Sequence, residues 1–387
     1  MQKRHNIAIL VEWSRTYGRG VLNGLADYAQ AHGQWQVFFS ERSLNDDAPA
    51  WFDKWRGDGI IACAENPGLI EQIKRKQLPT VEVFSYDRVG GFAKVATDEP
   101  LVGRLAADHL LELGLRNFAF CGFHGVSVSE ARGRYFAEYL AGLGHDVSIY
   151  RQSHGVNPSL FDSEEYSVLC EESVSSWIRG LPKPVGLFAS NDFRAYQILM
   201  ACAKRGISIP EEVALIGANN EEVICKLCRP PLTTIELDPY TIGYEAARLL
   251  DQWMHTGLAP SEVKFIAPKG LVVRQSTDTI QIADSEVAVA VRFIREHACD
   301  GIKVSDVMRQ VSVSRTTLER RFSKAMGRAP KAEIDRIRLN RVKQLLTVTD
   351  YPLAKIAELC GFRYLERMCH LFRKKFGLTP GQYRKAK

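Results

Sequence analysis

The chain has 387 residues, which is too long for one compact hydrophobic core, so at least two domains are expected. Hydrophobic residues at 45% and charged residues at 25% are typical of an ordinary globular protein. The net charge of +6 hides an asymmetry: residues 284–387 carry 23 Lys and Arg against 11 Asp and Glu, and the rest carries 28 against 34. A basic end on a weakly acidic body predicts polyanion binding there, with a merely solvated basic face as the alternative.

Nine cysteines are scattered, mostly within apolar segments, which favours a reducing cytoplasm over a secreted disulfide scaffold. Cys225 and Cys228 form a lone CxxC pair without a second pair or a histidine cluster, so no zinc or redox chemistry is expected there. The first residues form no apolar signal region, and no run of 18 apolar residues predicts a membrane span. The protein is therefore expected in the cytoplasm.

Residues 5–278 alternate short apolar runs with amphipathic stretches. The first apolar run is followed by a predicted helix over 17–31, and Asp98 is expected to cap a helix that ends near Gly114. The predicted strands are 7–11, 35–39, 59–62, 80–83, 118–121, 185–188 and 213–216. Repeated strand–helix units predict parallel sheets covered by helices, and about ten strands favour two doubly wound lobes over one sheet.

The loops that follow the strands are the expected ligand-binding segments. Small ligands bind beyond the carboxyl ends of parallel strands, and two lobes place that site in the cleft between them. The loops expected to face the cleft are 12–18, 84–88, 123–134, 190–194 and 218–220.

The pattern changes to continuous helical periodicity near residues 276–284. Val287, Val291 and Ile294 form the apolar stripe of a first helix, and residues 330–348 form a long connecting helix. On either side of this connector the sequence repeats itself with an offset of about 50 residues. Leu318 corresponds to Met368, and Phe322 corresponds to Phe372. The motif Gly-Arg-Ala-Pro that begins at Gly327 corresponds to Gly-Leu-Thr-Pro, which begins at Gly377. Each repeat predicts a short helix, a turn and a basic second helix, so the pair predicts two recognition helices for successive major grooves of DNA.

The exposed faces of the two second helices carry the expected DNA contacts. Ser314 is the expected N-cap of the first, Arg315 and Arg320 can pair with guanine, and Glu319 can accept from cytosine. Lys324, Arg373 and Lys374 are expected to contact and neutralise phosphates of the DNA backbone. Leu365 and Glu366 are not favoured base readers and are equally expected to be solvated surface residues. The full set of expected contacts is Ser314, Arg315, Thr316, Thr317, Glu319, Arg320, Lys324, Tyr364, Leu365, Glu366, His370, Arg373 and Lys374.

Residues 284–387 resemble the DNA-binding domain with two helix-turn-helix motifs of the AraC/XylS family of transcription regulators. The stretches 356–362 and 372–384 carry the resemblance. The family usually has a small or acidic capping residue shortly after the Gly-Phe pair, whereas this chain has Arg363-Tyr364-Leu365-Glu366. The resemblance implies binding to double-stranded DNA and activation of transcription with RNA polymerase as a partner, because that family mostly recruits the polymerase.

Residues 5–278 resemble the effector domains of the LacI/galactose-repressor family, which have a two-lobed, periplasmic-binding-protein-like α/β fold. The stretches that carry this resemblance are 57–62, 95–98, 109–114, 210–220 and 231–235. Those regulators place their DNA-binding domain at the amino end, whereas here it follows the effector domain. This order is similar to that of the xylose operon regulators, with domains expected over 1–278 and 284–387.

The resemblance implies sugar-binding residues that fit the chemistry of a sugar, whose hydroxyls match carboxylates, amides and Arg while an aromatic ring covers its apolar face. Asn219 stands where the family commonly has an acidic residue. This difference leaves the identity of the inducing sugar open. Trp13 is equally expected to pack within a lobe, and Asp192 is alternatively a helix N-cap. The expected ligand contacts are Trp13, Ser14, Arg15, Tyr17, Phe84, Asp98, Arg132, Asn191, Asp192, Arg194 and Asn219.

A ligand-responsive transcription regulator accounts for both halves of the chain. The histidines lack metal spacing, and neither a Gly-x-Ser-x-Gly elbow nor a Walker loop is present, so no enzyme, metal or cofactor is expected. A transport receptor would need an export signal, and a DNA-repair enzyme would need a reactive cysteine. We expect a homodimer that is activated by xylose or a related pentose. A repressor or dual regulator with another sugar is the alternative.

Overall fold

A computed structural model describes residues 4–32, 35–43, 46–86, 91–151, 164–260, 263–278, 284–349 and 351–385. The chain divides into two compact units, Met1–Thr279 and Ile280–Lys387. The predicted change of pattern near 276–284 falls at this division, although residues 279–283 lie outside the described residues.

The first lobe of the first unit is built on a parallel sheet with the strand order β11-β5-β4-β3-β1-β2. Its strands are β1 (His5–Leu10), β2 (Trp35–Phe39), β3 (Gly59–Ala62), β4 (Thr80–Glu82), β5 (Ala93–Thr97) and β11 (Lys264–Ile266). Its helices are α1 (Thr16–His32), α2 (Ala50–Lys54), α3 (Pro67–Lys76) and α9 (Pro239–Thr256). The central strands are buried on both faces, which is why they are short runs of apolar, largely β-branched residues.

Two glycines let helices α1 and α9 pack closely in this lobe. A Cβ atom on Gly24 would collide with the carbonyl oxygen of Tyr240, and one on Gly243 would collide with the carbonyl oxygen of Val21. Each helix therefore presents a glycine to the backbone of the other. This contact fixes α9 on the first lobe although its sequence follows the second.

The second lobe has a sheet with the order β12-β10-β9-β8-β6-β7. Its strands are β6 (Asn117–Cys121), β7 (Val147–Ile149), β8 (Val185–Ala189), β9 (Val213–Ala218), β10 (Thr233–Glu236) and β12 (Gly270–Val272). Its helices are α4 (Glu99–Glu112), α5 (Ser127–Gly142), α6 (Glu164–Gly180), α7 (Asp192–Lys204) and α8 (Glu222–Leu227). The sheet is parallel as predicted except at its edge, where β12 runs antiparallel to β10. The chain returns from β11 of the first lobe to form this edge.

The second unit is helical. Its helices are α10 (Ser285–His297), α11 (Val304–Met308), α12 (Arg315–Met326), α13 (Pro330–Val348), α14 (Leu353–Leu359), α15 (Leu365–Phe376) and α16 (Pro380–Lys385). Leu318 and Phe322 of α12 are buried in one core, and Met368 and Phe372 of α15 are buried in a second. Helix α13 contributes Ile334 to the first core and further residues to the second, which confirms the predicted connector. The predicted fold class, two α/β lobes followed by an all-α domain, is confirmed.

Candidate functional site

A cavity of about 460 Å³ lies between the two lobes of the first unit. Its walls are the loops and first helical turns that follow the carboxyl ends of strands in both sheets, as expected for doubly wound lobes. Each loop that was predicted to face the cleft contributes to the wall, with residues 87 and 88 of the loop 84–88 outside the described residues. The lining includes Glu12, Arg15, Tyr17, Cys63, Glu65, Phe84, Thr97, Glu99, Phe123, Ser129, Arg132, Asn191, Asp192, Phe193, Asn219 and Glu221.

Arg132 on α5 is held in the wall by a network of hydrogen bonds. Its Nε and Nη2 donate to the carboxylate of Glu99 at 2.7 and 3.1 Å, and both side chains are almost fully buried. Its Nη1 donates to the carbonyl oxygen of Ser190 at 2.6 Å and to Oδ1 of Asn219 at 3.1 Å. Burial raises the pKa of Glu99, and the charge of Arg132 opposes that rise. The guanidinium is thus a preorganised donor group next to an amide.

Asp192 is the first residue of α7 and is almost fully buried. Its Oδ1 accepts a hydrogen bond from Oγ1 of Thr234, and its Oδ2 accepts from the backbone N–H of Glu221 at 2.6 Å. Burial raises the pKa of Asp192 to about 7. The alternative role that was considered for Asp192 belongs to Asn191, whose side chain caps α7 by accepting from the N–H of Arg194 at 2.8 Å.

Aromatic rings supply the apolar part of the wall. Tyr17 and Phe84 meet edge to face with their centroids 5.8 Å apart, and the hydroxyl of Tyr17 donates to the carbonyl oxygen of Val83 at 2.7 Å. From the other lobe, Phe193 lies under the guanidinium of Arg15 at 3.9 Å. Rings beside paired donors and acceptors match a molecule that is polar on its rim and apolar on its faces.

Seven of the predicted ligand residues line the cavity, and four lie elsewhere. Trp13 packs against Phe39 with centroids 6.1 Å apart, in agreement with the packing role that was the alternative. The exposed Ser14 bonds to Glu12. The carboxylate of Asp98 caps α4 by accepting from the N–H of Leu101 at 3.0 Å, as predicted from its sequence position. The guanidinium of Arg194 is buried over the ring of Phe123, 5.0 Å away.

Several carboxylates of the cavity wall were not among the residues predicted from the sequence. Glu65 follows β3, and Glu99 follows β5 and starts a helix with proline in its first turn. Strand β3 was predicted, so the rule about the ends of parallel strands could have identified Glu65. Strand β5 was not among the predicted strands, which is why Glu99 was missed. Glu221 lies three residues after the end of β9, one residue beyond the predicted loop 218–220, and was missed because that loop was drawn too short.

The first recognition helix, α12, has the predicted cap and the predicted exposed face. Oγ of Ser314 accepts from the N–H of Thr317 at 3.3 Å. Arg315, Thr316, Arg320 and Lys324 are exposed, whereas Thr317 and Glu319 are half-buried. The guanidinium of Arg315 forms an ion pair with Glu319 at 2.9 Å, so these two side chains are partners of each other in the absence of DNA.

The second recognition helix, α15, begins differently. Its N-cap residue Tyr364 makes no side-chain capping bond and is 56% exposed. Leu365 was expected on the exposed face but is half-buried and packs against the second core, because the first turn of α15 directs it inward. Glu366, His370, Arg373 and Lys374 are exposed as expected. Arg367, which was not among the predicted DNA contacts, is also exposed on this helix.

Cys225 and Cys228 are both buried free thiols. No group of three or more potential metal ligands was found within the described residues. None of the helices described here is both long and apolar enough to cross a membrane.

Three family models match the chain. A XylR N-terminal domain matches residues 6–108, a periplasmic binding protein-like domain matches 107–277, and a helix-turn-helix domain matches 307–386. Among solved structures, that of the xylose-binding transcription activator xylR is similar over 100% of this chain and 99% of that one, with a TM-score of 0.84 and 29% identity. A LacI family regulator from Enterococcus faecium with bound ribose covers 70% of this chain and 98% of its own, with a TM-score of 0.56, and at 22% identity it is similar in fold alone.

Curated relatives extend over the whole chain. The xylose operon regulatory protein of Escherichia coli strain K12 is 31% identical over 99% of this chain and 97% of its own length. The protein of the same name from Haemophilus influenzae is 30% identical over 99% of both. Both helix-turn-helix motifs and both lobes are included in these alignments, and so the chain belongs to the family of xylose operon regulatory proteins.

Proposed function

We propose that this protein activates a sugar-catabolism operon when D-xylose or a related pentose occupies the cavity between its lobes. The protein is a DNA-binding transcription regulator with a sugar-binding domain, as its family membership establishes. The pentose is inferred from the names of its relatives. The observation that supports this ligand class is the combination of Arg132, Asp192 and Asn219 with the rings of Tyr17 and Phe84 in one cavity.

The sugar's hydroxyls would be recognised by groups whose positions are already fixed. Arg132 can donate while Asp192 accepts, and Asn219 offers one donor and one acceptor. Asn219 has a positive φ of 100°, which aims its amide from the end of β9 toward Arg132. The rings of Tyr17 and Phe84 cover the apolar face of the sugar. A sugar that binds the closed form more tightly than the open one shifts the lobes toward closure.

The DNA is proposed to be read mainly by α12. Arg315, Thr316 and Arg320 lie exposed on its first turns, where they can reach base edges, and Lys324 can reach a phosphate. On α15 we assign Glu366 and His370 to base edges and Arg373 and Lys374 to phosphates. The effector domain spans residues 1–278 and the DNA-binding domain spans 284–387 in this proposal.

The remaining assignments concern partners and location. We propose a cytoplasmic homodimer that contacts RNA polymerase, since paired half-sites on DNA match a twofold-symmetric protein. We propose activation and not repression because the relative with a solved structure is named as a transcription activator. Repression, or dual control by another sugar, is the alternative.

Calorimetric titration of the full-length protein with D-xylose, D-ribose, L-arabinose and D-glucose tests the ligand assignment. Tighter binding of one pentose than of glucose is expected. Asp192→Ala should abolish that binding, whereas Ser14→Ala should leave it unchanged because Ser14 is outside the cavity lining. Binding of glucose alone, or an unaltered Asp192→Ala protein, would overturn the assignment.

A further inference from the structure

Two glutamates of the cavity wall, one from each lobe, accept hydrogen bonds from the first residue of a helix in the opposite lobe. Glu221, from the second lobe, accepts hydrogen bonds from the backbone N–H of Thr16 at 2.9 Å and from its hydroxyl at 2.6 Å. Glu65, from the first lobe, accepts from the backbone N–H of Ser127 at 3.4 Å and from its hydroxyl. Thr16 is the first residue of α1 in the first lobe, and Ser127 is the first residue of α5 in the second.

Both helices lack a capping group of their own at these ends. The residues that precede them are Arg15 and Val126, and neither side chain carries a hydrogen-bond acceptor. The first N–H groups of a helix have no partner within the helix, and its positive end favours a carboxylate. Each lobe therefore caps a helix of the other lobe, and the caps exist only while the lobes are together.

Neighbouring contacts support the same relationship between the lobes. The Nη2 atom of Arg19 lies 3.5 Å from Oε1 of Glu221. The N–H of Tyr86 in the first lobe donates to Oγ of Ser127 at 3.2 Å, so the hydroxyl of Ser127 is held from two sides. The backbone of Glu221 is fixed by Asp192, which ties this carboxylate to the sugar cavity.

We infer that Glu65 and Glu221 are positioning residues for lobe closure, acting as reciprocal helix caps that set how readily the sugar closes the protein. This inference rests on the proposed sugar-driven closure. Since the caps form only in the closed state, they stabilise that state whether or not sugar is present. Loss of one cap lowers the closed population, and the apparent affinity for sugar falls with that population.

The affinity test uses the capped residues, because Thr16 and Ser127 are not part of the cavity lining. In the full-length protein, Thr16→Val and Glu221→Ala should each weaken D-xylose binding in calorimetry, the latter by about tenfold, the lower end for a hydrogen bond to a charged group. The double variant should be no weaker than Glu221→Ala. The pair Ser127→Ala and Glu65→Ala should behave in the same way. Normal affinity of Thr16→Val and Ser127→Ala would mean that the carboxylates act only as sugar contacts, and would overturn the inference.

A second measurement works without any sugar. In ligand-free full-length protein, amide hydrogen exchange at Thr16 should accelerate by about tenfold in Glu221→Ala, and exchange at Ser127 should accelerate similarly in Glu65→Ala. Glu130→Ala is the matched control, because this carboxylate near the start of α5 bonds to the N–H of Gly125 within its own lobe. The Glu130→Ala variant should leave amide exchange at Thr16 unchanged. If the wild-type protein binds no pentose, the proposed ligand is wrong, and the exchange rates alone test the reciprocal helix caps. Unchanged exchange at Thr16 in Glu221→Ala and at Ser127 in Glu65→Ala would then overturn the inference.

Discussion

Arg132 and Glu99 form a bidentate ion pair across the wall of the cavity, with both side chains at most 5% exposed. Such a pair is weak evidence of net stability, since both charges lost their hydration on burial. Its consequence is instead a fixed direction for the guanidinium, which also bonds to Asn219. The pair joins α4 to α5 at the place where sugar is proposed to bind.

Removing one partner of this pair should be far more harmful than removing both. Arg132→Leu leaves Glu99 buried without its counter-charge, and the free energy of unfolding should fall by about 3–5 kcal/mol. Chemical unfolding of the full-length protein measures this. The double variant with Glu99→Leu should recover part of the loss, and a single variant as stable as wild type would show that the pair is accessible to water.

Asp192 should make the stability of the first unit depend on pH. Burial raises its pKa to about 7, so the folded protein holds this proton more tightly than the unfolded chain does. Its contribution is therefore fully present below the unfolded pKa of about 4 and is lost as pH rises through about 7. The groups that face it are Thr234, Arg274 and the Cys225 thiol, whose pKa is raised by burial.

Thermal unfolding midpoints at pH 5 and pH 8 test this dependence. The decrease in midpoint over that interval should be larger for wild type than for Asp192→Asn. The variant should be less stable overall, because its single amide oxygen cannot accept from both the Thr234 hydroxyl and the N–H of Glu221. Equal decreases in the two proteins would assign the pH dependence to other groups.

The basic carboxyl-terminal unit should bind DNA without the effector domain. A fragment of residues 281–387 contains both helical cores and carries 23 Lys and Arg against 11 Asp and Glu. Its DNA affinity should fall steeply as salt rises, because each neutralised phosphate releases a counterion. Fluorescence anisotropy between about 50 and 200 mM salt measures the slope. An affinity independent of salt would contradict the assignment of the basic residues.

Arg315 and Arg320 should contribute to sequence preference. Replacement of either by Ala should relax the preference at one base position, at a cost of about 1–3 kcal/mol. Competition assays with single-base variants of a selected site measure this cost. If all sequences weakened equally, the residue would be a phosphate contact. Leu365→Ala is a useful contrast, since this half-buried side chain should affect stability more than base preference.

Much of this structure could be predicted from local patterns. Buried parallel strands are short apolar runs such as 59–62, and a serine ahead of a basic amphipathic helix predicted the cap at Ser314, which the structure confirms. Leu365 was misplaced because its side-chain direction depends on how the first turn of α15 packs on a core that is remote in sequence.

The cavity wall was predictable only in part, for a related physical reason. The ends of strands identified the loops that contain Arg132, Asp192 and Asn219, because every parallel strand exposes its carboxyl end at the same edge. Within these loops, the family resemblance singled out the three residues. The bonds from Glu65 to Ser127 and from Glu221 to Thr16 depend on the approach of two separately folded lobes, and no local pattern carries that information.

The most direct test of the central claim is the affinity of the full-length protein for a selected DNA site, measured with and without saturating D-xylose. Coupling between sugar and DNA sites amounts to about 1–3 kcal/mol in typical allosteric proteins, so DNA affinity should change by at least about fivefold. The account predicts tighter DNA binding with D-xylose and no such change with D-glucose. An identical DNA affinity in the presence and absence of every pentose tested would contradict it.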